Sequence, residues 1–411
     1  MAPMSTAKFL LVALTVLLAG EGDAHISQCF KRALPSQPDP EFSKGVAQFS
    51  FQFFKRLAES AKEENLFVSP YSVWSSLCLA YLGSGGNTRR ELAHVLRLSS
   101  KTSAYVNWRS LEEELRGNTG PQAKVDFITT NKGYFSDSLQ LDTCLQKSLP
   151  ELEVLDFSRP AQTASYVNGV VSETTQGKIK DFLDARLLRQ AKFILLNAVF
   201  FKGKWEYQFN TSDTTSMPFR VSPGKEVDPI PMMQQSGEFR YATNTPLNAT
   251  VLELPYANSS YSMFLLQPIS EAEGIQAVIK SLSRKNLEAT IGQFHATTIR
   301  VVVPKFDLNT EIQEQFKATL QAMGIRELFT PAADLTGFSA SRSLFVREAV
   351  HKATVEVTEE GTVAAAATAL VGIRVAHSRP FVLDRPFVFL IMHRAMTLPV
   401  MVGVFNKPPA S

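Results

Sequence analysis

Apolar residues recur along the chain at spacings that distinguish helices from strands. Residues 42–62 carry apolar side chains every three or four positions, the period of an amphipathic helix. Residues 72–82 continue as a mostly apolar helix, which the turn signal Gly-Ser-Gly-Gly at 83–86 ends. Another amphipathic helix is predicted at residues 275–282, where isoleucine, valine and leucine share one face.

Continuous apolar runs predict the strands of a sheet. The run at 192–201 shows no polar alternation, which predicts a central strand buried on both faces. Shorter runs predict strands at 263–266 and 299–303, and the runs at 387–391 and 398–405 predict a strand pair. Because helices and strands are intermixed without a repeat or a linker, we expect one large mixed α/β (α+β) domain.

One segment fits neither pattern. Its residues are Glu359, Glu360, Gly361, Thr362, Val363, Ala364, Ala365, Ala366, Ala367 and Thr368. Strand interiors favour branched and aromatic residues, so small alanines do not suit a permanent core strand. A segment that is small at every position can lie exposed as a loop or enter a crowded sheet without clashes. From 361 to 386 the sequence predicts no settled element, and such long loops are usually functional or disordered.

Composition narrows the class of partner. The 411 residues are 45% hydrophobic and 20% charged, which is ordinary for a soluble globular protein. The 42 lysines and arginines nearly balance the 39 acidic residues, giving a net charge of +3. Bulk charge therefore favours neither nucleic acid nor a membrane surface as a partner.

Residues 1–24 predict a cleaved signal peptide. The apolar run at 9–18 is too short to span a bilayer, and Gly22 and Ala24 suit the two positions that a signal peptidase reads. We therefore expect a secreted, extracellular protein. Residues 25–41 are polar and contain three prolines, which predicts a flexible N-terminal arm.

Three sequons predict glycosylated surface loops in a secreted chain, at Asn210, Asn248 and Asn258. The cysteines are few and odd in number, so disulfides cannot be what holds the fold together. Cys78 lies among apolar residues and is predicted to be a buried thiol. A disulfide between Cys29 and Cys144 is possible, but their spacing in the sequence does not support it.

Motifs typical of enzymes are missing from the sequence. No serine lies in a Gly-x-Ser-x-Gly elbow, and the six histidines show neither HExxH spacing nor a paired Cys/His set. The glycine-rich stretch at 83–86 lacks the Gly-Lys-Ser/Thr of a phosphate loop. We expect no catalytic residue, no metal and no cofactor, the alternative being a catalytic centre built from distant residues.

Several separate motifs resemble those of the serpin family and follow the family's order. They lie at 65–73, 175–179, 196–205, 303–306, 323–325, 333–337, 351–353, 359–368 and 384–387. Each alone would be weak, but together they cover nearly the whole mature chain. The resemblance implies a single domain at 42–408 with a large central, mostly antiparallel sheet, two smaller sheets and about nine helices. It also implies an exposed reactive-centre loop at about 359–383.

The resemblance implies a monomeric inhibitor of a serine protease. An inhibitory serpin offers its loop as bait, is cleaved, and then inserts the loop into its main sheet as an extra strand. One face of the inserted strand would carry Thr362, Ala364, Ala366, Thr368 and Leu370, and all but the last are small, as a packed sheet requires. Non-inhibitory serpins often carry bulky, charged or prolyl residues there. Their absence favours an inhibitor over the alternative, a ligand carrier or chaperone.

Two groups of supporting residues follow from the resemblance. They are Ser69, Ser72, Asn197 and His351 beneath the sheet where its strands part, and Lys305, Glu359 and Trp205 at its top. The first group would be hydrogen-bonded core polar residues on any interpretation. The plainer interpretation of the Lys305–Glu359 pair is a solvated ion pair worth under about 1 kcal/mol.

The residue that a protease would recognise has two candidates. Register from Glu359 forward and from Asp384 backward places the scissile bond between Val375 and Ala376. Valine suits an elastase-like protease with a small apolar pocket. A bond one residue earlier, after Arg374, would suit a trypsin-like protease whose pocket carries a carboxylate.

A glycosaminoglycan is a further candidate partner. Arg89, Arg90 and Arg97 lie in a stretch that resembles helix D, where some serpins bind heparin. Three arginines form a thin patch, and a solvated helix face is the plainer interpretation.

Overall fold

A computed structural model describes most of the chain. It covers residues 29–30, 35, 37–61, 63–116, 125–257, 260–341, 344–347, 349–362 and 379–409. The described α-helices are α1 Pro40–Ser60, α2 Pro70–Gly83, α3 Gly86–Leu96, α4 Lys101–Arg116, α5 Thr143–Ser148, α6 Pro160–Thr174, α7 Ala185–Leu188, α8 Gly274–Ser281, α9 Arg284–Ile291 and α10 Glu314–Met323. The described 3-10 helices are Thr211–Asp213, Thr245–Leu247 and Glu327–Phe329.

The described strands outnumber the helices. They are β1 Leu66–Val68, β2 Val125–Ser136, β3 Leu152–Leu155, β4 Phe193–Lys204, β5 Thr215–Ser222, β6 Lys225–Asn244, β7 Ala249–Pro255, β8 Tyr261–Pro268, β9 His295–Pro304, β10 Phe306–Ile312, β11 Ala349–Val357, β12 Gly361–Thr362, β13 Phe381–Val382, β14 Phe387–His393 and β15 Leu398–Phe405. The predicted C-terminal strand pair is confirmed, because β14 and β15 are antiparallel neighbours.

The strands form two sheets. The central sheet has six strands in the order β10-β11-β12-β4-β2-β3, with β11 also pairing with β4. The second sheet has nine strands in the order β1-β15-β14-β8-β7-β6-β9-β13, with β5 joined to β6. It unites strands that the sequence predicts as two smaller sheets, because the 20-residue β6 is long enough to pair with β5, β7 and β9 along its length.

The central sheet is covered on both faces. Beneath it lies α2, every residue of which is buried, and Ser69 caps the start of this helix by accepting a hydrogen bond from the backbone N–H of Ser72. On the opposite face α6 packs its buried Val167 and Val171 against the sheet in a second apolar cluster. This double cover explains why the first nine residues of β4 are all buried, as the continuous apolar run predicts.

Two described residues of the N-terminal arm, Phe30 and Pro35, contact α4, and the flexibility that the sequence predicts for 25–41 stays a prediction. Phe30 is 5% exposed and stacks on Tyr105 of α4, with ring centroids 4.2 Å apart. The hydroxyl of Ser110, also on α4, donates to the carbonyl of Pro35 at 2.6 Å. Phe30 and Pro35 therefore lie against α4, and together with Cys29 they are called the N-terminal strap.

A disulfide fixes the start of this strap. Cys29 is bonded to Cys144 of α5, with the two Cα atoms 5.6 Å apart. The two residues are separated by 115 positions in the sequence, a distance at which no local pattern indicates contact. Cys78 is fully buried and free, as predicted.

Two short strands lie in the stretch 361–386, where the sequence predicts none. Both β12 and β13 have only two residues, too few to show a hydrophobic period. Among the described residues, no helix is both long and apolar enough to cross a membrane.

Candidate functional site: the cleft between β4 and β11

The cleft between β4 and β11 is closed over most of its length. The two strands are parallel neighbours through six residue pairs, from Ala349 opposite Leu195 to Thr354 opposite Phe200. Beyond these pairs the strands diverge, and β12 lies between them. The pair is therefore open at one end, where it already holds a third strand. A longer strand could be inserted between β4 and β11 from this end.

The strand β12 enters this opening in a defined register. It is antiparallel to β4, with Gly361 opposite Lys204 and Thr362 opposite Gly203. It is also antiparallel to β11, with Thr362 opposite Val357. Thr362 is fully buried, so the residue expected on the small face already lies inside the sheet.

Gly361 makes this entry geometrically possible. Its φ of 151° is one that residues with a side chain rarely adopt. A Cβ atom added there would overlap the carbonyl oxygen of Gly203 and lie 2.7 Å from the Cα of Lys204. The backbone of the entering strand therefore passes against β4 at a distance that only glycine permits.

The group expected at the top of the sheet does come together. The Nζ atom of Lys305 lies 3.0 Å from Oε2 of Glu359, and the hydroxyl of Thr214 donates to Oε1 at 2.8 Å. The Glu359 side chain is 7% exposed and that of Lys305 45%, so the pair is half-buried rather than fully solvated. Burial alone would raise the pKa of Glu359, but hydrogen bonds from its backbone N–H, Lys305 and Thr214 outweigh burial and hold it below the usual value.

Trp205 connects this group to the residues that precede β12. Its indole Nε1–H donates to the carbonyl of Thr358 at 2.9 Å, and its backbone N–H donates to the carbonyl of Glu360 at 3.0 Å. The backbone N–H of Phe209 donates to the carbonyl of Glu359 at 2.8 Å. The loop after β4 thus holds three successive carbonyls in place where the hinge begins, those of Thr358, Glu359 and Glu360.

The group expected beneath the sheet also forms one buried network. The Asn197 Nδ2 donates to the hydroxyl of Ser72, and the hydroxyl of Ser69 donates to the carbonyl of Val400 at 2.6 Å. The Nδ1 of His351 is hydrogen-bonded to Oδ1 of Asn197. The network therefore joins α2, β4 and β11 at the middle of the closed part of the cleft.

Sequence reasoning missed two members of this network, Ser76 and Asn131. The hydroxyls of Ser72 and Ser76 donate to Oδ1 of Asn131 at 2.9 and 3.1 Å. Ser76 follows Ser72 by four residues and so shares its helix face, a signal that was available. Asn131 lies opposite Asn197 in the β2–β4 register, which local sequence does not reveal.

His351 is neutral in this network. Its Nε2 accepts a hydrogen bond from the backbone N–H of Ser69 at 3.2 Å, so the proton must be on Nδ1, facing Asn197. Complete burial lowers the pKa of His351 to about 3. A second proton would place an N–H against the Ser69 N–H, so the closed cleft requires the neutral ring.

The remaining predicted positions lie elsewhere or outside the described residues. Asn210 is exposed, and its Oδ1 accepts from the Ser212 N–H at 3.0 Å, while Asn248 is half-buried. The positions outside the described residues are the signal segment 1–24, Asn258, hinge residues 363–368, and Arg374, Val375 and Ala376.

Arg89, Arg90 and Arg97 are exposed at α3 and its C-terminal cap. If the helix that ends before Thr175 is helix F, the sixth, then helix D is the fourth, α4. The stretch that carries the arginines therefore does not correspond to helix D, and the lettering predicted from sequence is wrong.

Comparison with known proteins agrees with this architecture. The family model of the serpins (serine protease inhibitors) matches residues 44–408. The leukocyte elastase inhibitor of Xenopus laevis is 31% identical over 378 residues, covering 89% of this chain and 99% of that protein. Uncleaved ovalbumin superposes with a TM-score of 0.80 at 28% identity, covering 89% of this chain and 100% of ovalbumin. The crystal structure of native protease nexin-1 with heparin gives 0.79 at 27% identity, covering 90% and 100%.

This chain belongs to the serpin family. The predicted fold class is confirmed, and the chain is a serine protease inhibitor by family rather than an enzyme.

Proposed function

We propose that this serpin is a secreted suicide-substrate inhibitor of a serine protease, and that its hinge is the moving part. The observation that carries the proposal is β12, two residues of the hinge lying between β4 and β11. A hinge that has already entered the sheet needs no separate step to find the cleft. Insertion then consists of extending an existing strand.

The register of β12 defines what would follow. Continuing it along both neighbours places residues 365–370 at the six positions where β4 and β11 now pair with each other. Those residues are Ala365, Ala366, Ala367, Thr368, Ala369 and Leu370. The alanine-rich run would thus fill the part of the sheet that α2 and α6 cover on both faces, where small side chains fit a packed interior. Leu370 is the one large side chain of the run and would lie at its far end, opposite Leu195 and Ala349.

One residue of that run matches the polar network. Thr368 lies six residues after Thr362 in the sequence. Asn197 lies six residues before Gly203, and His351 lies six residues before Val357, so the continued register brings the three residues level with each other. Insertion would therefore place Thr368 between the two side chains whose hydrogen bond it breaks. Its hydroxyl can accept from Nδ1 of His351 and donate to Oδ1 of Asn197, so the inserted state would leave neither group unpaired.

The covalent step that precedes insertion is ordinary acyl transfer. The protease serine Oγ would attack the carbonyl carbon of Val375, an acyl bond forms, and the Val375–Ala376 amide breaks with Ala376 leaving as a free amine. The name of the Xenopus relative, an elastase inhibitor, supports an elastase-like target and therefore valine at this position. Cleavage after Arg374 by a trypsin-like protease is the competing outcome.

Secretion is supported by two features. The apolar run at 9–18 is typical of a signal peptide. The Cys29–Cys144 disulfide is of a kind that persists in oxidising compartments. An exposed sequon at Asn210 and a half-buried one at Asn248 would then be open to glycosylation.

A glycosaminoglycan contact is a secondary proposal. Arg89 and Arg90 project from α3 and Arg97 caps it, all three exposed. The related protease nexin-1 was solved with heparin, which supports testing it here. Replacing all three arginines with alanine should lower the salt concentration that elutes the protein from immobilised heparin; unchanged elution would contradict the contact.

A denaturing gel tests the main proposal. The secreted protein is incubated with an elastase-like and a trypsin-like protease, and the released C-terminal peptide is sequenced. We expect a covalent complex with the elastase-like protease and a peptide that begins at Ala376. A peptide that begins at Val375 would transfer the site to Arg374. Cleaved serpin without complex, with every protease tried, would contradict inhibition and favour a carrier or chaperone.

Thr362→Arg supplies the matched variant for this test. An arginine at a fully buried position would leave a charge without a partner, so insertion should slow and the variant should be cleaved as a substrate. Undiminished complex formation by this variant would contradict the assignment of the hinge.

A further inference from the structure

Tyr256 occupies a fixed position beside the entrance of the cleft. It is 1% exposed and forms an isolated antiparallel bridge with Trp205. Its ring stacks on the Trp205 ring with centroids 4.7 Å apart and planes inclined by 16°, and it contacts the ring of Phe201 at 4.9 Å. Aromatic contacts on two sides leave the ring little freedom to move.

The backbone of β4 forms a third side of this position. A Cβ atom added to Gly203 would lie 2.6 Å from Cδ1 of Tyr256, so the ring lies directly on the strand. Gly203 is the residue that pairs with Thr362 of the hinge. The tyrosine ring and the first buried hinge side chain therefore meet over the same residue of β4.

The hydroxyl of Tyr256 points at the hinge. Its oxygen lies 2.9 Å from Oγ1 of Thr362. Among the described residues, each of these two hydroxyls has the other as its hydrogen-bond partner. Burial raises the pKa of Tyr256 well above its usual value, so the group is a neutral hydroxyl. If the hinge withdrew, both hydroxyls would lose this partner, and the one on Tyr256 would stay in an apolar wall.

We propose that Tyr256 is a positioning residue for inhibition. Its hydroxyl binds Thr362 and sets how far the hinge is inserted before any protease arrives. The proposal rests on the inhibitory function proposed above. It explains why a tyrosine, rather than a phenylalanine of nearly the same shape, lies in this aromatic cluster. It also adds a role for Thr362 beyond being small, because an alanine there would fit the sheet but could not bind Tyr256.

The first test needs no protease. Hydrogen exchange is measured on the peptide that contains β12, in the full-length wild type and in Tyr256→Phe, Thr362→Val and the double variant. Each single variant leaves one buried hydroxyl without its partner, so we expect β12 to exchange about tenfold faster. In the double variant both polar groups are gone and protection should return towards the wild type. Unchanged exchange in the single variants, or losses that add in the double variant, would overturn the proposal.

The second test uses the target protease and the stoichiometry of inhibition. Tyr256→Phe and Thr362→Val should each consume severalfold more inhibitor per protease inactivated, whereas Thr362→Ser, which keeps the hydroxyl, should resemble the wild type. Tyr241→Phe is the control, because Tyr241 lies half-buried on β6, away from the cleft. If Thr362→Ser behaves like Thr362→Val, the hydroxyl is not the determinant and the proposal fails. If the wild type itself forms no complex, the inhibitory function fails, while the exchange result still decides the hydrogen bond.

Discussion

Asn197 and His351 lie directly opposite each other across the parallel pair of β4 and β11, and a side-chain hydrogen bond joins them. The bond joins a side chain of β4 to a side chain of β11, so separating the two strands must break it. It is also buried, with Asn197 2% exposed and His351 fully buried. A single polar contact thus reports whether the middle of the cleft is closed.

Acid should weaken this closure. The folded-state pKa of His351 is about 3, against about 6.5 for an unfolded histidine, so between these values the unfolded chain binds the extra proton. The contribution of neutral His351 to the free energy of unfolding is therefore present above about pH 6.5 and is lost as the pH falls towards 3. At pH 5 the loss is about 2 kcal/mol. Burial also lowers the pKa of His393, to about 4, which adds a loss of the same sign.

Denaturant unfolding at pH 7 and pH 5 measures the effect. A glutamine at 351 can donate to Asn197 and accept from Ser69 without titrating, so His351→Gln should lose about half of the acid sensitivity. His393→Gln alone should lose the other half, and the double variant should show little of the acid sensitivity. Equal stability of the wild type at the two pH values would contradict the conclusion that burial lowers the pKa values of His351 and His393.

Thr368 should matter only after cleavage. Thr368→Val keeps the shape of the side chain but removes the hydroxyl that would reconnect Asn197 and His351 in the inserted state. We expect the intact variant to unfold like the wild type, and the cleaved variant to be less stable by about 1–3 kcal/mol. Thermal unfolding of both forms checks this, with Ala366→Ser as a control at a neighbouring small position. An equal effect on the two forms would contradict the register.

Gly361 should tolerate no side chain. In Gly361→Ala the Cβ would overlap the Gly203 carbonyl in a backbone conformation that alanine rarely adopts, at a cost of about 1–3 kcal/mol. We expect the hinge to leave the sheet rather than the fold to unfold, so β12 should lose its protection from hydrogen exchange. Gly169→Ala is the control, since a Cβ there meets nothing within 4 Å on α6 and should change little. Retained protection in Gly361→Ala would be contrary to the close approach described here.

Reduction should release the N-terminal strap. Breaking the Cys29–Cys144 disulfide leaves the strap held by contacts such as Phe30 on Tyr105, so exchange in residues 29–39 should quicken. The loss of global stability should be about 2–4 kcal/mol. After reduction, a thiol reagent should modify Cys29 and Cys144 but spare the buried Cys78 until the protein unfolds. Modification of Cys78 first would indicate that the core opens before the strap.

The elements that the sequence predicts well are those with a long apolar period. The helix at 42–62 and the buried run at 192–201 need no partner to be recognised, and the structure has Pro40–Ser60 and Phe193–Lys204. What the sequence could not show depends on pairing between distant residues. Asn131 acquires its role from the register of β2 against β4. Tyr256 acquires its role from a hydrogen bond with Thr362 of β12, 106 positions away in the sequence. The two-residue strand β12 leaves no pattern at all, because its burial comes from its neighbours.

The fixed register of β12 also makes the sheet a measure of length. A loop that enters at Thr362 and is cleaved after Val375 would form a strand of about 46 Å at roughly 3.3 Å per residue. Its last residue would pass the first residue of the 12-residue β4, Phe193, and reach the level of Gln190. An attached protease would therefore be carried along the full length of β4 and stop beyond its far end. Cleavage after Arg374 would stop it one residue earlier, so the choice between the two bonds also sets how far the captured enzyme travels.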